Sequence, residues 1–254
     1  MLNKIKTILW FLKKPQYIPQ IFQILKRKKN VLYENTREDS HTWCKANCVS
    51  QEVALQQILN VKGSEKLSIL FPNEIKDATK IVENCPVTMG GEGAISFLYY
   101  LVKMSGAENV LETGVAYGWS SLAILLAIKD IENAKLISND MPYIKMNNDD
   151  FVGCIIPENL KDKWELQRQP DVKGIPLALK KFNYDIDICH YDSDKSYTAR
   201  MWSSPLLWAA LKKGGLFISD DINDNIAFKH FCAKVNRTPK IIKHQQKYVG
   251  VIIK

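Results

Sequence analysis

Short apolar runs alternate with helical patterns over the last two thirds of this 254-residue chain, which predicts an α/β fold. The apolar run at 110–111 leads through two glycines into a helical stretch at 120–127 that is apolar from Leu122 onward. Such a strand, glycine turn and helix forms one βα unit. Further strands are predicted at 135–138, 164–167, 186–191 and 216–219, and two alternating runs at 239–242 and 248–253 predict a closing antiparallel hairpin.

Helical patterns lie between these strands and before the first of them. Glycines 214 and 215 are expected to end the helix that precedes the last parallel strand. We therefore expect a Rossmann-like, doubly wound and mostly parallel sheet with a C-terminal antiparallel hairpin and additional N-terminal helices. The predicted helices are 52–59, 94–104, 176–182 and 201–211, with one more between 148 and 156.

The chain divides by pattern and charge into three regions. A basic amphipathic helical extension covers 1–30, a helical cap or connector covers 31–84, and the α/β domain covers 85–254. The extension contains eight lysines and arginines and no acid, whereas the other 224 residues contain 27 basic and 27 acidic side chains. A body of balanced charge has no basic stripe for nucleic acid, so a nucleic-acid partner is not expected.

Residues 1–30 are predicted to form two helices, the first ended by Pro15 and the second beginning near Ile18. A basic amphipathic pair of this kind suits an anionic membrane surface or a partner, so we expect a removable anchor rather than part of the catalytic core. Packing of these helices on their own domain is the open alternative. The apolar face of the first helix consists of Leu2, Ile5, Ile8, Leu9 and Leu12.

The six cysteines are scattered and show no zinc-ligand spacing. Free thiols of this kind are typical of a reducing cytoplasm. No apolar run approaches the roughly 18 residues of a membrane span. These features predict a cytoplasmic protein that is peripheral at the membrane if the extension binds there.

The glycine turn after the first strand indicates a ligand site. Gly114 permits a tight turn at the strand end, and Gly118 removes a side chain where a ligand or a neighbouring strand would come close. The next strand ends in Asp140, which is placed to hold a pair of ribose hydroxyls. A nucleotide-like cofactor is therefore expected, and NAD is the weaker choice because residue 116 is alanine in place of the second glycine of the dinucleotide motif.

Read in this way, residues 109–140 resemble class I S-adenosylmethionine-dependent methyltransferases. Two further blocks, YDIDICHYDSDKSY at 184–197 and ALKKGGLFISDDINDNIAF at 210–228, are similar to catechol and sugar O-methyltransferases. The resemblance covers roughly 85–254 and implies S-adenosylmethionine as cofactor and a hydroxyl of a sugar or other small molecule as acceptor. The cofactor-binding residues that it implies are Glu112, Gly114, Tyr117, Gly118, Ser120, Asp140 and, near the adenine, Asp171.

Three carboxylates follow two neighbouring predicted strands: Asp192 follows one, and Asp220 and Asp221 follow the next. They are expected to converge at one sheet edge, where like charges repel unless they are protonated or bound to a cation. Oxygen ligands favour Mg²⁺ or another divalent cation over zinc. The resemblance implies that these three aspartates bind such a metal. Asn223 and Asp224 remain candidates for the third ligand.

Lys195 occupies the position where catechol-type relatives have a lysine, and the resemblance implies that it is the catalytic base, with Asp192 beside it. Two alternatives stay open: Lys195 is a surface lysine that bridges Asp194, or the acids are structural and cap helices and pair with Lys195 or Arg200. His190 is interpreted as a core histidine rather than a base.

The chain is thus expected to be a divalent-metal-assisted O-methyltransferase. The competing hypothesis is a catalytically weak methyltransferase-like scaffold at a membrane surface, with the N-terminal helices as its main functional element. A homo-oligomer is compatible with either hypothesis.

Overall fold

A computed structural model describes residues 2–254, with side chains from Lys6 onward. The described chain contains one eight-stranded sheet, flanked by helices on both faces. The strands are β1 (Cys48–Val49), β2 (Asn109–Thr113), β3 (Lys135–Asn139), β4 (Trp164–Gln167), β5 (Ile186–Tyr191), β6 (Leu211–Ser219), β7 (Lys240–His244) and β8 (Lys247–Ile253). The helices are α1 (Leu2–Lys13), α2 (Pro19–Arg27), α3 (Val31–Glu34), α4 (Arg37–Asn47), α5 (Gln51–Leu59), α6 (Leu67–Leu70), α7 (Pro72–Glu83), α8 (Ile95–Ser105), α9 (Trp119–Ile128), α10 (Asp171–Lys181), α11 (Tyr197–Ala210) and α12 (Ala227–Lys234).

The spatial order of the strands is β1-β7-β8-β6-β5-β2-β3-β4. Strands β6, β5, β2, β3 and β4 are parallel, while β8 runs antiparallel to both β6 and β7. This topology confirms the predicted mostly parallel, doubly wound sheet with its C-terminal hairpin. The chain leaves β2 for β3 on one side and returns to β5 on the other, so a ligand crevice is expected at the carboxyl ends of these strands.

Alternate residues of β2 belong to cores on opposite faces of the sheet, as the pleat of a strand requires. Val110 packs with α8 and α9 in one core, and Leu111 packs with α10, α11 and α12 in the other. Helix α9 is buried along its whole length except at Ser120. The unbroken apolar sequence at 122–128 is explained by this burial.

Two predicted helices between β3 and β5 differ from the observed elements. The segment predicted as a helix between 148 and 156 contains only a short 3-10 turn at Asp149–Phe151, because Gly153 adopts a φ of +72° that interrupts helical geometry. The helix predicted at 176–182 begins earlier, at Asp171, and contains Pro176 within it. Its first turn therefore lies at the end of the parallel strands.

The glycines at 214 and 215 do not end a helix. Helix α11 begins at Tyr197, earlier than predicted, and ends at Ala210, and β6 starts at Leu211 and continues through both glycines. The pairing of β6 with β5 has an irregularity between Ile186 and Ile188, opposite these glycines. The two glycines, which predicted the end of a helix, therefore mark an irregularity in strand pairing.

Residues 2–34, which we call the N-terminal cover, lie against the α/β body rather than apart from it. Trp10, Phe11 and Tyr17 form a small buried cluster that contacts Met141 and Ile144 of the body. Helix α2 packs against α10 and α11. The predicted apolar face points outward at Ile8, Leu9 and Leu12, whereas the side chains of Leu2 and Ile5 lie outside the described residues.

Candidate functional site

A cavity of about 470 Å³ lies at the carboxyl ends of β2, β5 and β6. Most of the residues predicted for the site line it together. They are Gly114, Tyr117, Ser120, Asp140, Asp171, Asp192, Lys195, Asp220 and Asp221. Glu112 and Gly118, which were also predicted to bind the cofactor, do not line this cavity.

Gly114 cannot carry a side chain in this fold. Its φ is +84°, and a Cβ at this position would lie 2.5 Å from the carbonyl oxygen of Asp192 and 2.9 Å from the amide nitrogen of Ser193. The glycine thus allows the first loop to pass directly against the segment that follows β5. The position of the loop is stabilised by a hydrogen bond in which the Gly114 amide donates to the Asn139 carbonyl at 2.9 Å.

We expect Gly114→Ala to destabilise the fold by about 2–5 kcal/mol, through a left-handed backbone and overlap with the Asp192 carbonyl. Thermal unfolding should then shift down by roughly 5–15 °C. Gly91→Ala is the matched control, because Gly91 also lines the cavity but has nothing within 4 Å of an added Cβ. Equal melting temperatures for both variants would contradict the close approach at Gly114.

Gly118 lies close to another segment of the chain, residues 153–156, rather than facing the cavity. Its φ is +103°, and an added Cβ would lie 3.2 Å from Gly153 Cα and 3.2 Å from Ile156 Cδ1. The expected approach of a ligand at this glycine is replaced by packing of the 153–156 segment. Helix α9 begins at the next residue, so Gly118 still sets the direction in which the helix starts.

Tyr117 connects this loop to a glycine-rich segment that precedes α8. Its hydroxyl donates to the Val87 carbonyl at 2.6 Å and accepts from the Met89 amide at 3.1 Å. Gly90, Gly91 and Gly93 of that segment line the cavity. The hydrogen bonds of Tyr117 therefore tie this glycine-rich border of the cavity to the loop after β2.

Asp140 organises the loop from the end of β3. Its Oδ2 accepts from the amides of Val115 at 2.6 Å and Ala116 at 3.0 Å, and its Oδ1 lies 3.9 Å from Nη1 of Arg168. Burial raises the pKa of Asp140, against the effect of these two amide hydrogen bonds. One carboxylate oxygen is thus engaged by the loop, while Oδ1 has only a distant arginine beside it.

Glu112 lies in the sheet beneath the cavity. Its Oε2 accepts from Ser121 Oγ at 2.5 Å and from Ser138 Oγ at 2.7 Å, and its Oε1 lies 3.5 Å from His190 Nδ1. Since its carboxylate is fully buried among these side chains, Glu112 supports the site from below. The strand-end acid that the sequence singled out therefore has a structural role in this arrangement.

His190 is a buried histidine, as predicted. It lines the cavity and lies between the carboxylates of Glu112 and Asp220. Its Nε2 lies 3.6 Å from Asp220 Oδ2, with Glu112 on its other side. Burial acts to lower its pKa, but Asp220 and Glu112 outweigh burial and raise it to about 9. Burial alone would raise the pKa of Asp220. The neighbouring His190 outweighs burial and keeps this pKa below its ordinary value.

Asp171 is the first residue of α10 and faces the cavity from the side of β3. Its Oδ1 accepts from Asn139 Nδ2 at 3.0 Å and its Oδ2 from Ser193 Oγ at 2.5 Å. Burial raises its pKa to about 6, and these hydrogen bonds oppose that effect. Asp171 thus joins the ends of β3, β5 and α10.

Lys195 lies between two of the predicted metal ligands. Its Nζ pairs with Asp192 Oδ1 and lies 3.2 Å from Asp221 Oδ2, which also accepts from Lys247 Nζ at 2.9 Å. Burial lowers the pKa of Lys195 to about 8, against the opposing effect of Asp221. Lys195 does not bridge Asp194, so the structure favours a lysine in the site over that alternative.

The predicted metal ligands fit a divalent cation by chemistry, because three carboxylates face one cavity. They are not gathered around one point, however. Across residues 2–254, no three His, Cys, Asp or Glu side chains form a group that could hold a metal ion. The ammonium groups of Lys195 and Lys247 stand beside Asp192 and Asp221, where a cation would be expected.

Arg200 was considered in the sequence only as a possible partner of the acids. Its guanidinium is buried and donates to the backbone carbonyls of Asp220 at 2.9 Å and Asp221 at 3.1 Å. These bonds hold the turn after β6, where Asp221 adopts a left-handed φ of +52°. No local sequence signal indicates this role, because the contact joins residues 20 positions apart.

Two residues of the N-terminal cover were missed as site residues. Gln20 and Arg27 line the cavity, and both reach Asp194 Oδ2, at 3.3 Å and 2.5 Å respectively. Arg27 belongs to the basic run at 26–29, which was counted from the sequence only among the eight positive charges of the N-terminal extension. The cover therefore contributes side chains to the site.

Comparison with known proteins is consistent with this geometry. Residues 111–222 match the family described as methyltransferase domain, and no curated protein matches the chain significantly. This matched range begins in β2 and ends just after Asp221, so it spans the cavity-forming strand ends.

Solved structures show the same fold at low sequence identity. The Bacillus cereus O-methyltransferase in complex with SAH has a TM-score of 0.54 and 14% identity, over 83% of this chain and 100% of that one. TomG from Streptomyces achromogenes is an O-methyltransferase involved in tomaymycin synthesis and was solved with SAM. Its TM-score is 0.54 and its identity 14%, over 80% of this chain and 95% of that one. A putative caffeoyl-CoA O-methyltransferase from Staphylococcus aureus has a TM-score of 0.52 and 15% identity, over 74% of this chain and 97% of that one.

Proposed function

The chain carries a methyltransferase domain with the class I S-adenosylmethionine-dependent fold, and on that premise we propose that it methylates a hydroxyl oxygen of a small molecule. A sugar or another small hydroxylated compound is the proposed acceptor class. The observation that supports this most is a single cavity that contains both the Gly114 loop and the cluster of Lys195 with its aspartates.

We assign the cofactor to the part of the cavity formed by the 114–120 loop, Asp140 and Asp171. The first N–H groups of α9 follow this loop and have no partner within the helix, so they favour a polar or anionic group of a ligand. Asp140 would use Oδ2 to order the loop and Oδ1 to accept from the ribose. We assign Asp171 to the adenine side because it lines the cavity at the start of α10.

Methyl transfer from a sulfonium to an oxygen is a single displacement. A new O–C bond forms while the S–C bond breaks, and the sulfur leaves with the bonding electron pair as part of S-adenosylhomocysteine. The acceptor hydroxyl must lose its proton, and we assign its acceptance to Nζ of Lys195 in the neutral form. The resulting ammonium stays beside the carboxylates of Asp192 and Asp221.

We further propose that Asp192, Asp220 and Asp221 hold a divalent cation during turnover. Such a cation would lower the pKa of the acceptor hydroxyl. Lys195 lies beside two of these carboxylates, so a cation held by them would compete with its ion pairs and would favour the neutral amine. Lys247 and His190 limit the mutual repulsion of the acids when no cation is bound.

We expect Asp140→Ala to weaken the binding of S-adenosylmethionine at least tenfold, about 1.4 kcal/mol, because a charge-assisted hydrogen bond to the ribose is lost. Isothermal titration calorimetry measures this affinity. Asp150→Ala is the charge-matched control, since Asp150 is exposed and does not line the cavity. Unchanged affinity in Asp140→Ala would remove Asp140 from the cofactor site.

The proposed function itself is tested by methyl transfer. The protein is incubated with methyl-tritiated S-adenosylmethionine, Mg²⁺ and a panel of catechols, free monosaccharides and phosphorylated monosaccharides. Tritium recovered in an O-methyl product supports the proposal. If the cofactor binds in the calorimeter but no member of the panel is labelled, the weight moves to the membrane scaffold hypothesis.

A further inference from the structure

The outer surface of the N-terminal cover is unusually apolar. Across the described side chains, nineteen large hydrophobic residues are exposed, and nine of them lie within residues 8–33. Leu12, Phe22 and Leu32 are 67%, 61% and 85% exposed. The nine residues are Ile8, Leu9, Leu12, Ile18, Phe22, Leu25, Val31, Leu32 and Tyr33.

The same surface carries positive charge. Lys13, Lys26, Lys28 and Lys29 are exposed next to these apolar side chains, and the first 33 residues contain no acid. Arg27 of the same cluster instead turns inward to Asp194, and Lys14 pairs with Asp149 at 2.5 Å. The cover thus has an inner face fixed to the body by ion pairs and an outer face that is apolar and basic.

Two occupants could bury an apolar face of this kind, a second copy of the chain or a lipid surface. A two-fold interface would bring the same lysines of both copies together, and the face contains no acid to pair with them. An anionic bilayer instead takes up apolar side chains at the acyl boundary and pairs lysines with its headgroups. Charge complementarity therefore favours the bilayer.

We propose that the outer face of the N-terminal cover binds an anionic membrane surface. The helices lie flat on the bilayer, since no helix of the described chain is long and apolar enough to cross it. The inner face meanwhile keeps Gln20 and Arg27 at the cavity. The cavity is then separated from the headgroups by about one helix diameter, roughly 10–12 Å.

The test is flotation of the full chain with vesicles of phosphatidylcholine alone and of phosphatidylcholine with 30% phosphatidylglycerol. We expect at least tenfold more protein on the anionic vesicles at low salt, with release in 0.5 M NaCl. The double variant Leu12→Gln, Phe22→Gln should lose at least tenfold of this binding, and so should Lys28→Gln, Lys29→Gln.

The matched control is Ile69→Gln with Tyr184→Gln, because these side chains are 62% and 60% exposed but lie outside the cover. It should bind vesicles like the unmodified chain. Cofactor titration on the same samples shows that the variants are folded, so loss of membrane binding is separated from loss of the site. Equal binding to neutral and anionic vesicles, no binding to either, or full binding by the cover variants would overturn the proposal. A dimer that Leu12→Gln, Phe22→Gln dissociates would assign the face to a second copy.

Discussion

Replacing Lys195 with methionine is expected to lower the rate of methyl transfer by about 10²–10⁴-fold, the usual contribution of a general base. The variant keeps the length and apolar stem of the side chain but has no group that can accept the acceptor's proton. Because Lys195 lies beside Asp192 and Asp221 rather than at the 114–120 loop, cofactor affinity should change little. Rates with a labelled cofactor and calorimetric affinities measure the two effects separately.

Two variants decide how Lys195 acts. Lys195→Arg keeps the positive charge beside the aspartates but cannot give up its proton near neutral pH, so it should be as inactive as Lys195→Met. Lys212→Met removes a partly buried lysine that pairs with Asp187 at 2.7 Å outside the cavity, and it should remain active. If Lys195→Arg restores the rate, the lysine supplies charge and is not the base.

The sheet could be predicted well because its strands are short apolar runs bounded by turn residues. The alternate burial of Val110 and Leu111 on opposite faces follows from the same pattern. Helix boundaries were predicted less well where the backbone dihedral angles of a single residue end or prevent a helix. The helix expected at 148–156 is absent because Gly153 takes a positive φ, for which the apolar pattern around it contains no signal.

Strand-end residues were predicted to converge, and most of them do, since the carboxyl ends of parallel strands share one edge. Which atoms face the cavity depends on packing that local sequence does not specify. Glu112 is turned to Ser121 and Ser138, whose hydroxyls lie 9 and 26 positions along the chain. Asp140 lies at the next strand end and lines the cavity instead.

The N-terminal cover shows a similar limit. Amphipathic spacing predicts that α1 and α2 each have an apolar side, but it does not say which side meets the body. The body is contacted by Trp10, Phe11 and Tyr17, and the inward ion pairs of the cover join residues 135 and 167 positions apart. Contacts over such separations depend on the tertiary fold, so the closeness of the cover to the site could not be predicted from its own sequence.

Removing divalent cations with EDTA is expected to abolish methyl transfer, and added Mg²⁺ should restore it. Asp192, Asp220 and Asp221 face one cavity, and carboxylate oxygens are the ligands that Mg²⁺ prefers. In the absence of the cation, Lys195 pairs with Asp192 and Asp221, and His190 lies beside Asp220, so the acids are held by protein cations alone. Activity should be measured after exhaustive chelation at fixed pH and ionic strength.

The double variant Asp220→Asn, Asp221→Asn should require much more Mg²⁺ for the same rate, because two charged ligands are lost. Asp224→Asn tests the remaining candidate for the third ligand; since Asp224 does not line the cavity, its Mg²⁺ dependence should match that of the unmodified chain. Full activity after chelation, with no effect of Mg²⁺ on any variant, would show that the aspartates serve only as partners of Lys195, Lys247 and His190. The transfer would then depend on the lysine without a metal.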